Sequence, residues 1–214
     1  MSTAAEKRSI GRPADQAKRE AILAAAARSF FEKGFAATSI EQVAADAGVS
    51  KVTIYNHFGD KQALFAASVD RECATMRSSL ELTSLPTGTL RQRLTAIAEA
   101  MVAFLTRDEM VQFDRRIAAE TERDPTIGEA FLQAGPYRMR KAFAGLLDTM
   151  VASGELAIDD TSLAVEQFVS MCKGMGDLER RFGRPVDAEL ERRRIEGAVD
   201  VFCRAYAVEE CDRK

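Results

Sequence analysis

Two short helical patterns joined by one glycine constrain the fold more strongly than any other part of this chain. The first, TSIEQVAADAG, opens on a capping box formed by Thr38 and Glu41 and closes on Gly48, a residue that readily ends a helix. Its apolar residues recur at the spacing of one helix face, namely Ile40, Val43, Ala44 and Ala47. The second pattern begins at the N-cap residue Ser50 and runs to about Phe58. Two helices linked by a short glycine turn predict a helix-turn-helix.

Helical spacing also dominates the rest of the sequence, and strand patterns are nearly absent. Four helices are predicted in the first 80 residues. Five segments follow at about 88–106, 108–122, 126–153 with a break near GPY, 160–181 and 187–207. We therefore predict an all-α fold of about nine helices, in which a three-helix helix-turn-helix unit joins a larger helical domain through the fourth helix. The predicted domains are 1–62, with a flexible basic arm over 1–14, and 63–214.

The composition is that of an ordinary globular protein. Apolar residues make up 46% of the 214, which is enough to bury a sizeable core. No run of 18 uncharged apolar residues occurs, and the polar, basic start lacks the apolar region of a secretory signal. We therefore expect a cytoplasmic protein without a membrane segment.

The four cysteines show no CxxC or other spacing typical of a metal site; they are Cys73, Cys172, Cys203 and Cys211. Disulfides are rare in a reducing compartment. We expect free, mostly buried thiols, with a redox sensor as the alternative, and no metal or other cofactor.

Charge is unevenly spread along the chain. Residues 1–62 hold nine Lys and Arg against seven Asp and Glu, a net of +2, whereas the remainder carries −5. A mildly basic N-terminal segment on an otherwise acidic chain weakly favours an anionic partner at the N-terminal end.

The second helix of the motif separates its residues by chemistry. At about 100° per residue, Ile54 and Phe58 face the interior, and the opposite side is small and polar. That outer face comprises Val52, Thr53 and Asn56, with Lys51 in the first turn. Hydrogen-bonding groups beside methyl groups suit the base-pair edges of a DNA major groove.

Groups suited to phosphate lie around this outer face. Thr38 and Ser39 stand at a helix N-terminus, Lys61 lies in the first turn of the fourth helix, and Tyr55 offers a hydroxyl. Upstream, Arg12 in IGRPAD lies on an arm that can enter an adjacent minor groove.

The same residues admit simpler interpretations. A short helix with one polar face is often only a solvated surface, and Arg12 can equally belong to an unstructured tail. His57 is the single histidine of the chain, which excludes an imidazole-rich zinc or di-iron site. No nucleophile-elbow GxSxG accompanies it for a catalytic triad. Neither metal binding nor catalysis is therefore favoured.

Residues 21–65, AILAAAARSFFEKGFAATSIEQVAADAGVSKVTIYNHFGDKQALF, resemble the DNA-binding domain of TetR/AcrR-type transcriptional regulators across three helices and both turns. The resemblance implies that Thr38 caps the second helix at a phosphate, that residues 50–53 enter the major groove, and that Phe58 anchors the third helix. It also implies contacts to the DNA backbone from Tyr55, His57 and Lys61, and Ser50 is a further candidate phosphate contact. Val52 stands where the family often has Gly, Pro or Ala, and its methyl groups suit a thymine methyl.

Residues 116–174, which begin RIAAETERDPTIGEAF, are similar to the C-terminal domain of the AefR-like branch of this family, whose members are repressors. This second resemblance implies a ligand cavity among the fifth to eighth helices. Met and aromatic residues on their apolar faces suit an apolar or aromatic effector, although any one of them is more commonly plain core. The candidates are Met101, Phe104, Leu105, Met110, Phe113, Ile117, Phe131, Tyr137, Phe143, Leu147 and Met171.

The last two helices are strongly apolar, so they either cover their own domain or mate with a copy of themselves. The resemblance favours a two-fold interface formed by Phe168, Cys172, Met175, Ile195, Val199, Phe202 and Tyr206. Such symmetry would set two recognition helices about 34–36 Å apart, and a ligand that changes this spacing would release one half-site.

These patterns together predict a homodimeric, ligand-responsive DNA-binding regulator of the repressor type. It would bind a palindromic operator and leave it when a small effector enters the C-terminal domain. Two alternatives stay open at this point: a helical enzyme that binds a small molecule, and a protein-interaction adaptor that does not read DNA.

Overall fold

The computed structural model describes residues 11–79, 87–185 and 187–208, and within them the fold is all-α, as predicted. The helices are α1 (Gly11–Lys33), α2 (Ile40–Asp46), α3 (Lys51–Phe58), α4 (Lys61–Ser79), α5 (Leu90–Leu105), α6 (Asp108–Thr121), α7 (Pro125–Ala134), α8 (Pro136–Ala152), α9 (Thr161–Arg181) and α10 (Ala188–Tyr206). An isolated antiparallel bridge between Leu156 and Ala207 ties the end of α10 to the loop before α9.

The described residues hold ten helices, one more than the nine expected, because the segment predicted over 126–153 is two helices. Helix α7 ends at Ala134 and α8 begins at Pro136. A proline has no backbone N–H to continue the ladder of the preceding helix, but it fits the first position of a new one. The break lies at the GPY sequence that indicated it.

Aromatic side chains form the centre of the N-terminal core. The rings of Phe30 on α1 and Phe65 on α4 meet edge to face with centroids 5.2 Å apart, and Ile54 of α3 is buried against the same core. The core continues into α6, where the ring of Phe113 stacks on that of Phe31 at 4.1 Å. The helix-turn-helix therefore packs directly against the following helices through a shared core.

A second core lies between α5, α8, α9 and α10. The ring of Phe168 meets Phe143 at 5.7 Å and Phe202 at 4.9 Å, and none of its surface is exposed. Full burial of one such side chain stabilises the fold by about 1.5–3 kcal/mol.

This second core contains most of the residues predicted to contact another chain, so that prediction is corrected. Helices α9 and α10 turn their apolar stripes inward against α5 and α8. Tyr206 is half-buried and donates a hydrogen bond to Gln167 at 2.9 Å, whereas Met175 is exposed. The residues buried in their own domain are Phe168, Cys172, Ile195, Val199 and Phe202.

Helix α9 is kinked at Gly174, where the backbone has φ 47° and ψ −149°. Side chains with a Cβ disfavour this conformation strongly, so glycine is the residue that permits the kink. The kink separates a first half of α9 that is packed into the core from a second half whose large apolar side chains are exposed.

None of the helices in the described ranges has a stretch both long and apolar enough to cross a bilayer.

Candidate functional site

The entry to α2 differs from the predicted capping box. Ser39, not Thr38, is the N-cap, and its hydroxyl accepts a hydrogen bond from the backbone N–H of Gln42 at 3.3 Å. Thr38 is buried; its hydroxyl donates to the Gly34 carbonyl at 2.7 Å and receives the hydroxyl of Ser29 at 3.2 Å. The predicted cap and phosphate contact of Thr38 are therefore corrected, because its side chain ties the turn to α1.

The start of α3 follows the predicted pattern. The hydroxyl of Ser50 accepts a hydrogen bond from the backbone N–H of Thr53 at 3.1 Å, and the two hydroxyls lie 2.8 Å apart. The preceding turn passes through Gly48 at φ 65°, a left-handed conformation that glycine adopts without strain. Cap and turn together fix the direction in which α3 leaves α2.

The outer side of α3 lies open. Lys51, Val52, Tyr55 and Asn56 are exposed, with 66% of Val52 accessible, while Thr53 is half-buried. Ile54 is buried on the opposite side and Phe58 is half-buried. An exposed valine between a lysine and an asparagine gives this surface both methyl groups and hydrogen-bonding groups.

An ion pair links α3 to α2 at the edge of this surface. The ammonium of Lys51 donates to one carboxylate oxygen of Glu41, and the hydroxyl of Ser39 donates to the other at 3.0 Å. The hydrogen bond from Lys51 lowers the pKa of Glu41 to about 2, and the same bond raises the pKa of Lys51. Glu41 therefore ties the first turn of α3 to the start of α2.

Tyr55 and His57 differ in how much of each side chain is covered by other residues. The Tyr55 ring is partly exposed and lies under the Lys51 ammonium at 5.8 Å. The Nε2 atom of His57 lies 3.3 Å from a carboxylate oxygen of Asp15 on α1, and only 16% of the His57 side chain is exposed.

Lys61 donates to the Ala36 carbonyl at 3.2 Å and covers the ring of Phe35 at 4.8 Å. Burial lowers the pKa of Lys61. Its ammonium therefore lies beside the turn between α1 and α2.

Helix α1 begins at Gly11, so the backbone at Arg12 is helical. The side chain of Arg12 and residues 1–10 of the predicted arm lie outside the described residues. The predicted minor-groove contact of Arg12 stays a prediction.

A cavity of about 360 Å³ opens between α4, α5, α6, α7, α8 and α9, and its wall is mostly apolar. This volume lies within the range typical of small-molecule sites. The predicted residues that line it are Met101, Phe104, Leu105, Met110, Phe113, Phe131 and Phe143.

Four predicted lining residues lie elsewhere. Ile117 and Leu147 are buried in the two cores, and Met171 packs against the second core. Tyr137 is exposed, with the guanidinium of Arg140 over its ring at 5.2 Å. These residues share the apolar faces of their helices but point to other neighbours.

The sequence reasoning missed two parts of the cavity wall. One is a stripe on α4 at i, i+4 and i+7, formed by Val69, Cys73 and Met76, which helical spacing alone would have revealed. The other is charged, and its residues on α9 recur at i, i+4 and i+8, a spacing that a solvated helix face shows equally. Its residues are Glu72, Asp114, Arg140, Lys173, Asp177 and Arg181.

Helix α6 holds the turn between α1 and α2. The carboxylate of Glu120 accepts hydrogen bonds from the backbone N–H groups of Phe35 at 3.0 Å and Ala36 at 3.1 Å. One turn earlier, the guanidinium of Arg116 donates to the carbonyl of Phe31 at 2.7 Å. Helix α6, which contributes Asp114 to the cavity, therefore also binds the helix-turn-helix unit through hydrogen bonds.

An apolar stripe lies exposed beyond the kink in α9. Met175, Leu178 and Phe182 recur at i, i+3 and i+7 and are 60%, 47% and 82% exposed. Leu190, early in α10, is 38% exposed. Exposed apolar residues gathered along one helix face commonly mark a protein contact.

The three cysteines among the described residues are buried. Cys73 and Cys172 are buried thiols, and burial raises their pKa to about 11 and about 12. Cys203 is also buried, and Cys211 lies outside the described residues. The described residues contain no cluster of three or more His, Cys, Asp or Glu arranged to hold a metal ion.

Two families match the chain. Residues 22–68 match the bacterial regulatory proteins of the tetR family, and residues 92–208 match the C-terminal domain of AefR-like transcriptional repressors. The HTH-type transcriptional activator FasR of Mycolicibacterium smegmatis is 31% identical over an alignment of 118 positions, and the match covers 50% of this chain and 54% of FasR. The chain thus spans about half the length of that relative.

Solved structures share nearly the whole fold. A TetR-family transcriptional regulator of Mesorhizobium loti is 27% identical with a TM-score of 0.77, over 95% of this chain and 100% of the other. The flavonoid-responsive regulator FrrA is 31% identical with a TM-score of 0.72, over 90% of this chain and 98% of its own.

Proposed function

Because this chain belongs to the TetR family of bacterial transcriptional regulators, we propose that it is a ligand-responsive, DNA-binding repressor that acts as a homodimer. Members of this family bind DNA operators and typically form homodimers. The single observation that carries the proposal is the open face of α3, on which Val52 and Asn56 are exposed beside Lys51.

Base contacts are assigned to this face. The amide of Asn56 matches the donor and acceptor of an adenine edge, and the Val52 methyl groups match a thymine methyl. Lys51 reaches either a guanine edge or a phosphate once it leaves Glu41. Thr53 contributes less, because it is half-buried and its hydroxyl lies 2.8 Å from that of Ser50.

Phosphate contacts are assigned around the face. Ser39 and Ser50 stand at the N-termini of α2 and α3, where backbone N–H groups favour an anion. Tyr55 presents an exposed ring and Lys61 a cation beside the turn at Ala36. His57 contributes mainly to the joint between α1 and α3, because its imidazole faces Asp15 and is largely covered.

The cavity is assigned to an apolar or aromatic effector. Phe104, Phe131 and Phe143 line it beside flexible methionines, and its volume suits a molecule of about 15–25 non-hydrogen atoms. FrrA is described as flavonoid-responsive, and a flavonoid is an aromatic molecule of this size.

Helix α6 connects the cavity to the DNA-binding unit. Asp114 lines the cavity, while Arg116 and Glu120 of the same helix hold the end of α1 and the turn after it. An effector that moves α6 therefore shifts the unit that carries α3. A change of a few ångströms in the spacing of the two recognition helices is enough to lose one half-site.

The two-fold contact is assigned to the exposed stripe of Met175, Leu178 and Phe182 in place of the buried residues of α9 and α10. An apolar surface that meets its own copy forms a closed, isologous interface. Two helix-turn-helix units related by such an axis would bind a palindromic operator. A DNA-binding regulator must also reach the chromosome, so we place the protein in the cytoplasm.

A genomic pull-down followed by footprinting on purified DNA tests this function. We expect a protected palindrome with two half-sites centred about 10–10.5 base pairs apart, or a multiple of that spacing. Transcription from the neighbouring promoter should rise when the regulator is deleted. A fall in that transcription would make it an activator, as FasR is described to be.

The adaptor alternative predicts a different salt response. A DNA-binding protein that neutralises several phosphates loses affinity steeply between about 50 and 200 mM salt. Weak binding to genomic DNA whose affinity does not fall with salt would support the adaptor.

The enzyme alternative is rejected, because the matched family and its relatives are transcriptional regulators.

A further inference from the structure

We propose that the effector is an apolar weak organic acid, whose acidic oxygen group binds the ammonium of Lys173 while its body fills the apolar cavity. The proposal rests on the proposed function, because it assigns a chemical class to the molecule that the cavity takes.

The apolar end of the cavity is built from aromatic rings. Phe113 stacks on Phe31 at 4.1 Å and meets the edge of Phe131 at 5.6 Å, and all three side chains line the cavity. Rings in offset and edge-to-face contact leave faces and edges that accept a further ring. The body of the ligand is therefore aromatic or similarly flat and apolar.

The other part of the wall carries a chain of ion pairs between α6 and α9. Asp114 binds Arg181 at 2.8 Å, and Arg181 lies 3.6 Å from Asp177. Asp177 in turn binds the ammonium of Lys173 at 3.1 Å. The side chains of these residues are about 24–45% exposed, so the charged end lies where the cavity meets solvent.

The donors and acceptors in this wall are unequally used. Each lining carboxylate already faces a cation: Asp114 binds Arg181, Asp177 binds both Lys173 and Arg181, and Glu72 binds Arg71 at 3.0 Å. Lys173 has three N–H donors and Arg140 has five, yet each binds one carboxylate within the described residues.

The partner of Arg140 also lies outside the cavity. Glu166 binds that guanidinium with a side chain that is 52% exposed, and it is not among the lining residues. Glu166 and the Tyr137 ring therefore hold the guanidinium of Arg140 outside the cavity, whereas Lys173, whose partner Asp177 lines the cavity, keeps donor capacity toward it. A ligand with an anionic oxygen uses that capacity through charge-assisted hydrogen bonds, which are about twice as strong as neutral ones.

A pair of fluorescent probes with one aromatic skeleton tests the charge directly. 8-Anilino-1-naphthalenesulfonate carries an anionic group, and N-phenyl-1-naphthylamine is the same skeleton without it. We expect the full-length protein to bind the anionic probe about tenfold more tightly in a fluorescence titration. Lys173→Met should remove most of this preference and leave the affinity for the neutral probe within about twofold.

Two further variants fix the location and the specificity. Lys141→Met removes an exposed lysine on α8 that does not line the cavity, and it should leave both affinities unchanged. Val169→Phe fills part of the cavity and should weaken both probes. Retained binding of the neutral probe, with an unchanged circular dichroism spectrum, shows that Lys173→Met is folded.

Equal affinity of the two probes for the unmodified protein would overturn the proposal and leave the cavity as an effector site. An equal loss in Lys173→Met and Lys141→Met would overturn it as well. Failure of Val169→Phe to weaken either probe would overturn the cavity as the binding site, and with it this part of the proposed function.

Discussion

Helices α3 and α9 both place apolar residues at helical spacing, but their surroundings differ. The eight residues of α3 pack against α2 and α4 and meet α1 through His57, and the side that carries Val52 and Asn56 stays open. The 21 residues of α9 pack against α5, α6, α8 and α10, and the apolar stripe before the kink fills the core. The number of neighbours around a helix, more than its own pattern, decides which apolar residues remain available to a partner.

The largest effect is expected from shortening a side chain in the packed half of α9. Phe168→Ala should lower the free energy of unfolding by about 3–5 kcal/mol, because it opens a cavity among Phe143 and Phe202. Urea denaturation followed by circular dichroism measures this change. Phe182→Ala, at an 82% exposed position, should change the same quantity by no more than about 0.5 kcal/mol when both proteins are measured as monomers.

The second expected effect concerns the exposed half of α9. A double variant, Met175→Asp with Leu178→Asp, should give monomers on size-exclusion chromatography with light scattering. Operator affinity should fall by about a hundredfold, because two linked half-site contacts become independent. A dimer that persists with unchanged operator affinity would move the interface away from this stripe and remove the functional contrast between the two halves of α9.

The open face of α3 should show a smaller, sequence-dependent effect. Asn56→Ala should cost about 1–3 kcal/mol on the operator and much less on random DNA of equal length, since a base contact is lost. Lys61→Met serves as the control and should weaken both kinds of DNA about equally. Fluorescence anisotropy at fixed salt measures both, and an equal loss for Asn56→Ala would reassign that residue to the DNA backbone.

The smallest effect is expected from the chemistry of Cys172 in the packed half of α9. Because burial raises its pKa to about 12, the thiolate is scarce at pH 7.5, and alkylation by iodoacetamide should be far slower than in denatured protein. Mass spectrometry after timed labelling measures the rate. Rapid labelling of native Cys172 would show that the first half of α9 opens readily.

Local sequence signals predicted the helix-turn-helix because its determinants are local. Gly48, the Ser50 cap and the burial of Ile54 depend on a few adjacent residues, and the structure bears out each one. Thr38 was misread as the cap because threonine and serine are both good caps, and only contact with Ser29 on α1 distinguishes them.

The interface and the cavity were harder to predict because they depend on distant helices. Phe168 and Met175 lie on the same helix, and the kink at Gly174 together with α10 gives them opposite environments. The charged wall around Lys173 also escaped prediction, since charges at helical spacing are typical of a solvated face and the wall is assembled from α4, α6, α8 and α9.

The hydrogen bonds between Glu120 and the turn between α1 and α2 have an evolutionary consequence. Its partners are the backbone N–H groups of Phe35 and Ala36, which any residue except proline would supply. The face of α3 can therefore mutate toward new operators while the connection to the sensor helix is retained. Exchange of residues 38–58 for those of a relative should accordingly yield a chimera that binds a different DNA sequence and is released from it by the same effector.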